Sequence, residues 1–369
     1  MALSRRSLGL GLFGATAAGA AGLEALRDNP GLLGGLGPAT GLTGFVGGEK
    51  EDFLADPAVA AALRSAGFVV TPRRAGSIEM VRDPALLRQQ PAFLWPSSAV
   101  AAEIAHRGGL TILREEVILN APIVLFSWDR IAEGLVAGGL ARKIGPRHYE
   151  LALDRVLKAL LEGKDWAALG VPGQFGRARL LVTDPTRSNS GFMFAGLAAT
   201  LLAGEVATGP LLDRILPDVV RLFAGMGFKP PSSARLFEDY IAGGPGVAPL
   251  ILGYENQLVE WILDDAERWK RVEAAAPARP VMVYPKPTVL AAHPLLALRR
   301  EAVPLVDAML RPAVQEQAWS RHGFRGPLGA GGPPLPAAVA GFIRPSIDDA
   351  VPMPDAATML RLIAALETG

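Results

Sequence analysis

The 369-residue chain has no cysteine. Disulfides, thiolate metal sites, a catalytic thiolate and a lipid-carrying cysteine are all excluded. Histidine is scarce. His106, His148, His293 and His322 are too far apart for an HxxxH or HxH pattern, so no zinc site is expected. Net charge is almost absent: 37 Lys and Arg against 36 Asp and Glu give +1. Subtracting Arg5 and Arg6, the only charges in residues 1–23, leaves +1 − 2 = −1. That balance argues against nucleic acid as the main partner. Beyond the N-terminus no apolar run is long enough to span a bilayer. The chain also lacks a Gly-x-Ser-x-Gly elbow, a Ser-x-x-Lys with its companion motifs, and a Gly-x-x-x-x-Gly-Lys phosphate loop. The acidic pairs Asp264-Asp265 and Asp348-Asp349 sit in ordinary helix-start or surface contexts. No constellation demands chemistry, and no cofactor is implied.

What is present begins with Ser4-Arg-Arg-Ser-Leu8, followed by an acid-free apolar run to Leu23 rich in Gly and Ala. This reads as a signal peptide over residues 1–23, and the paired arginines resemble a twin-arginine export signal. The alternative is a retained anchor, for which the run is short. Residues 24–40 read as a flexible lead-in. After them, short apolar segments lead repeatedly into Gly- or Ser-bearing loops and then into helices: 42–46, 68–71, 92–95, 178–182, 248–253 and 280–284 are read as strands. Asp56-Pro57 predicts a capped helix start, residues 149–161 an amphipathic helix, and Asp355 the start of a final helix. Strands alternating with helices argue for an α/β fold with mostly parallel sheets flanked by helices. In such sheets ligands bind where strand ends meet helix N-termini.

The chain is organised around Thr183-Asp-Pro-Thr-Arg-Ser-Asn-Ser-Gly191, between the apolar run 178–182 and the helix-forming run 192–202. A helix N-terminus carries unpaired N–H groups and a partial positive charge. Hydroxyls beside it grip an anion or polar group without lysine. One capping residue would suffice for the helix. Asp184, Thr186, Arg187, Ser188, Asn189 and Ser190, ahead of Gly191, exceed that need, and a ligand loop is the better reading. Other loops fall at equivalent places. Ser77 follows Gly76, where backbone can approach a ligand. Ser97 and Ser98 fit a cap or a ligand contact equally well. Tyr254 and Glu255 follow a buried strand, with a core tyrosine as the competing reading. Gly48 and Glu49 open the charge run Glu49-Lys-Glu-Asp52, which is more often a solvated surface. His322 is read as packed or superficial.

These loops, in this order, resemble bacterial extracellular solute-binding proteins of the type II periplasmic-binding class, near the molybdate-binding-like branch. Asp184-Pro-Thr-Arg-Ser-Asn-Ser-Gly191 resembles the family's second-lobe ligand loop. Ala75-Gly-Ser77 and Pro96-Ser-Ser98 resemble its first-lobe serine loops. Tyr254-Glu-Asn-Gln257 resembles the loop carrying a ligand tyrosine, and Ala318-Trp-Ser-Arg-His-Gly-Phe324 the C-terminal ending. The resemblance implies two lobes, residues 41–124 with 285–369 and residues 125–284, with a ligand cleft between them. It implies a periplasmic or extracellular protein that is not an enzyme. Such a protein delivers a small polar or anionic solute, an oxyanion among the candidates, to the permease of an ABC-type transporter. An exported hydrolase using a loop serine, with His293 or His322 as its base, and a ligand-sensing surface module are the alternatives.

Overall fold

The computed structural model describes residues 39–274 and 278–368. The signal-peptide reading of residues 1–23 and nearly all of the lead-in therefore lie outside the described residues. Among the described residues there are nine strands: β1 Thr40–Val46, β2 Phe68–Arg74, β3 Phe93–Trp95, β4 Arg114–Trp128, β5 Ala141–Lys143, β6 His148–Ala152, β7 Leu250–Tyr254, β8 Pro280–Lys286 and β9 Leu290–Ala297.

They form two groups that share β4. In one, β1 pairs in parallel with β2 and β3, and β3 and the first half of β4 both pair antiparallel with β9. In the other, the second half of β4 pairs antiparallel with β7 and β8, and β6 is parallel to β8 and antiparallel to β5. β4 changes partner between Pro122, opposite Leu290 of β9, and Ile123, opposite Tyr254 of β7. From Ile118 onward its side chains are buried on both faces, as a strand covered by helices on two sides must be. The result is the expected α/β architecture of two lobes flanked by helices. Between strands, parallel pairing is confined to β1–β2, β1–β3 and β6–β8, while β4 pairs antiparallel with β7, β8 and β9.

Local chemistry explains the helix starts. Asp56 Oδ1 accepts from the backbone N–H of Ala58 and Val59, and Pro57 occupies the first turn of helix Pro57–Ser65. Ser98 caps helix Ala99–Arg107 through Val100 N–H. Asp355 accepts from Thr358 N–H at the start of helix Ala356–Thr368.

Three expectations are corrected. Residues 149–161 are not one helix: β6 runs to Ala152, and helix Leu153–Leu161 follows. Residues 178–182 form no named strand. Leu181 makes an isolated parallel bridge to Ile251, bonding the backbones of Leu250 and Leu252. The third concerns residues after 284. The segment 290–297, absent from the strands read in the sequence, forms β9, next to β3 and β4 at the centre of its group. His293 and Pro294 interrupt its apolar pattern, and pairing on both edges overrides the weak local signal.

Candidate functional site

A cleft of about 1160 Å³ opens between the two groups of strands. Gly48, Glu49 and Ser77 line it from the loops after β1 and β2, and Thr186, Arg187, Ser188 and Asn189 from the Thr183–Gly191 loop. Seven of the residues singled out from sequence thus meet in one place. The loop owes its shape to Asp184. Its Oδ1 accepts from Thr186 N–H at 2.9 Å and Oγ1 at 2.8 Å, and its backbone oxygen accepts from Ser188 N–H at 2.8 Å. Gly191 is required here, because a Cβ would stand 2.4 Å from the Thr183 carbonyl oxygen.

Helix Asn189–Ala203 starts beside this loop, and Ser188 occupies its N-cap position without any side-chain cap bond. The hydroxyl instead lies 3.2 Å from Ser190 Oγ, which is 2.8 Å from Thr183 Oγ1. Capping therefore does not account for the serines, and the helix keeps its N-terminal donors.

The other seven residues do not line the cleft. Ser97 and Ser98 are fully buried: Ser97 N–H donates to Ser77 Oγ at 2.9 Å, and Ser98 caps its helix. Asp184, Ser190 and Gly191 support the loop from behind. Tyr254 is buried and accepts from Asn189 Nδ2 at 3.0 Å. Burial, together with nearby Glu49, pushes its phenol well above the ordinary value. Glu255 has no exposed surface. Its two oxygens accept from Arg325 at 2.7 and 2.9 Å and from the Tyr284 hydroxyl at 2.5 Å. With both oxygens engaged it is a structural ion pair rather than the ligand contact expected.

The residue missed from sequence is Lys50. Instead of lying on a solvated charged surface, it is completely buried. Its Nζ lies 2.5 Å from Glu49 Oε1, 2.7 Å from Ser97 Oγ and 3.0 Å from His293 Nδ1. Ser97 Oγ also hydrogen-bonds Glu49 Oε1. Burial alone would raise the Glu49 pKa, but attraction to Lys50 and His293 and the hydrogen bonds from Lys50 and Ser97 outweigh it. The pKa falls to about 2. Burial lowers Lys50 against the pull of Glu49, and burial with the neighbouring Lys50 holds His293 well below the usual imidazole value. The available signal was position: Lys50 directly follows a buried strand and its Gly47-Gly48 turn. His293 gave none, because its strand was not read.

His322 does pack, and it also lines the cleft. Its Nδ1 is 2.5 Å from Glu260 Oε1 and its Nε2 3.1 Å from Asp56 Oδ2. Neither His293 nor His322 is hydrogen-bonded to Ser188 or Ser190, so the base that would activate a loop serine is not in place.

No family model matches the chain, and no curated protein matches it. Solved structures do match in fold. AfuA, a periplasmic binding protein from Actinobacillus pleuropneumoniae with exogenous fructose-6-phosphate bound, aligns with a TM-score of 0.53 at 15% identity, over 88% of this chain and 97% of that one. Apo ferric ion-binding protein A from Pasteurella haemolytica gives 0.55 at 12%, over 89% and 96%. Iron-bound HitA from Pseudomonas aeruginosa gives 0.54 at 13%, over 89% and 99%. At these identities the likeness establishes the two-lobed periplasmic-binding-protein fold and nothing finer.

Proposed function

We propose that this is an exported solute-binding protein that captures a small polar or anionic solute between its lobes and hands it to the permease of an ABC-type transporter. One observation carries the reading. An uncapped helix N-terminus, dressed with Ser188, Thr186 and Arg187, faces the Gly76-Ser77 loop across a cleft between lobes. We assign the lobes as residues 41–124 with 285–369 and residues 125–284, a division supported by the change of partner of β4 between Pro122 and Ile123. Solute binding would favour the closed arrangement. A periplasmic or extracellular location follows from this role and from the N-terminal sequence. Among the described residues no helix is long and apolar enough to cross a membrane. Of the solved structures cited, AfuA holds a sugar phosphate, HitA holds iron and the ferric ion-binding protein is apo, so the molybdate-like branch rests on the loop resemblance alone. The missing serine–histidine contact disfavours a hydrolase.

The test is a thermal-melt screen of the full chain with oxyanions, sugar phosphates, organic acids, amino acids and sugars. A solute at 100 times its dissociation constant adds about 2.7 kcal/mol to folding stability. A shift without turnover is the expected result. Hydrolysis of a generic ester that disappears with Ser188→Ala would replace the reading by an enzymatic one.

A further inference from the structure

A hydrogen-bond inventory of the cleft floor separates what is already used from what remains for a solute. An ammonium has three protons, and those of Lys50 face Glu49, Ser97 and His293. The lysine is buried and does not line the cleft, so it is no anion receptor. The amide of Asn189 reaches over from the opposite lobe. Its nitrogen donates to Ser97 O at 2.8 Å and to Tyr254 Oη at 3.0 Å. A carbonyl oxygen only accepts, so the contact with Ser97 O fixes which end of the amide is nitrogen. Both amide protons are used, and Asn189 Oδ1 is left buried with no partner.

Glu49 lines the same cleft with its side chain 13% exposed. Its protein donors, Lys50 and Ser97, converge on Oε1. Oε2 has no hydrogen bond among the described residues. Two acceptors without a protein donor, one of them on a carboxylate, therefore remain where Glu49, Ser97, Asn189 and Tyr254 come together. Two of the cleft's arginines are matched by acids: Arg74 lies 3.6 Å from Glu51, and Arg268 3.3 Å from Asp264.

We propose that the solute carries a protonated amine, which docks at Glu49 Oε2 and Asn189 Oδ1. This rests on the solute-binding reading and names the class of solute. A buried acceptor without a partner costs free energy that a donor on the solute recovers. A charged donor facing a carboxylate makes the stronger, shorter kind of hydrogen bond. Arg187, exposed on the ligand loop, stays available to an anionic group on the same molecule, so zwitterions fit as well as simple amines.

The experiment is calorimetry and thermal melting of the full chain at pH 7. The probes are ethanolamine, putrescine, lysine and glycine, the fully N-acetylated derivative of each (both nitrogens of putrescine and lysine), and the amine-free anions succinate, fructose-6-phosphate and molybdate. At least one amine should bind, its N-acetyl partner should bind at least about tenfold more weakly, and Glu49→Gln should weaken the amine by a similar factor. If that variant does not fold, the N-acetyl comparison on the unaltered chain decides alone. Binding of amine-free anions with no amine bound overturns the assignment but leaves the solute-binding reading intact. Equal affinity for an amine and its N-acetyl form overturns it too. Absence of binding by every probe counts against both.

Discussion

Glu49 and Lys50 hold each other's charge in a place that solvent barely reaches. The position after a buried strand was legible in sequence, and the burial was not, because Glu49-Lys-Glu-Asp52 has the composition of a surface. Burial follows from Gly47 and Gly48. They turn the chain beneath Ser97, where a Cβ at Gly47 would stand 2.6 Å from Ser97 Oγ. Lys50→Met leaves an ionised Glu49 without its partner, and removing one member of a buried pair costs about 3–5 kcal/mol. Urea titration at pH 7 should show that loss, and adding Glu49→Gln should restore much of it. A loss that persists in the double variant would mean that Lys50 acts through packing rather than charge. Ser188 makes the opposite case. It makes no cap bond, so Ser188→Ala should change stability by less than about 0.5 kcal/mol while weakening solute binding. A stability loss near the 1 kcal/mol typical of a lost cap, with affinity unchanged, would return this serine to a structural role.

Helices and strands carry the next level, and here the two lobes are tied by an imidazole. His322 follows helix Pro312–Ser320, which packs on helix Pro57–Ser65. It bonds Asp56 at the start of that second helix, and Glu260 on helix Glu255–Asp264, which continues from β7. The Phe53 ring lies edge-on, 5.5 Å away. Asp52 and Asp264 add to the negative field at Glu260, and Arg268 offsets Asp264. Burial disfavours charge on His322, but the hydrogen bonds and attraction of Glu260 and Asp56 outweigh it, and its pKa is raised. A raised pKa means that the contribution is complete below the free imidazole value of about 6.5 and is lost as pH climbs through the folded value. At the acid end Glu260, held above the usual carboxylate range by burial, takes up a proton and removes one partner. The stability difference between the unaltered chain and His322→Gln should therefore be about 1 kcal/mol or more larger near pH 6 than near pH 9. Urea midpoints across that range measure it, and a flat difference would show that the ring only fills space. At this scale the sequence revealed capped starts such as Asp56-Pro57 and Asp355, where one residue type does one job. It hid β9 and β6, where pairing on both edges decides the conformation. The Thr183–Gly191 loop stood out because its hydroxyls exceeded the needs of a cap. The clasp was not, since Asp56, Glu260 and His322 are brought together only by tertiary packing.

In the whole molecule, any motion of one lobe on the other about β4 and the β8–β9 link would also involve the C-terminus. Helix Ala356–Thr368 packs on helices Asn189–Ala203 and Gly209–Gly225 of one lobe and on Ala99–Arg107 of the other. Glu103 Oε2 accepts from Ala356 N–H at 3.0 Å, which fastens the helix start to the first lobe. Met359 and Leu362 are fully buried, and a Cβ at Gly196 would stand 2.5 Å from the end of Met353. The helix is therefore core rather than appendage. Burying one such side chain is worth about 1.5–3 kcal/mol, so truncation after Val351 should lower stability by at least about 3 kcal/mol. Because both lobes lose a shared surface, the radius of gyration in small-angle scattering should rise as well. Glu103→Ala is the milder counterpart: it frees one N–H at the helix start and should cost about 1 kcal/mol without dispersing the core. A truncated chain with an unchanged urea midpoint and scattering profile would show that the lobes are held by β4 and the β8–β9 link alone. A stability loss with unchanged compactness would place the helix with one lobe only.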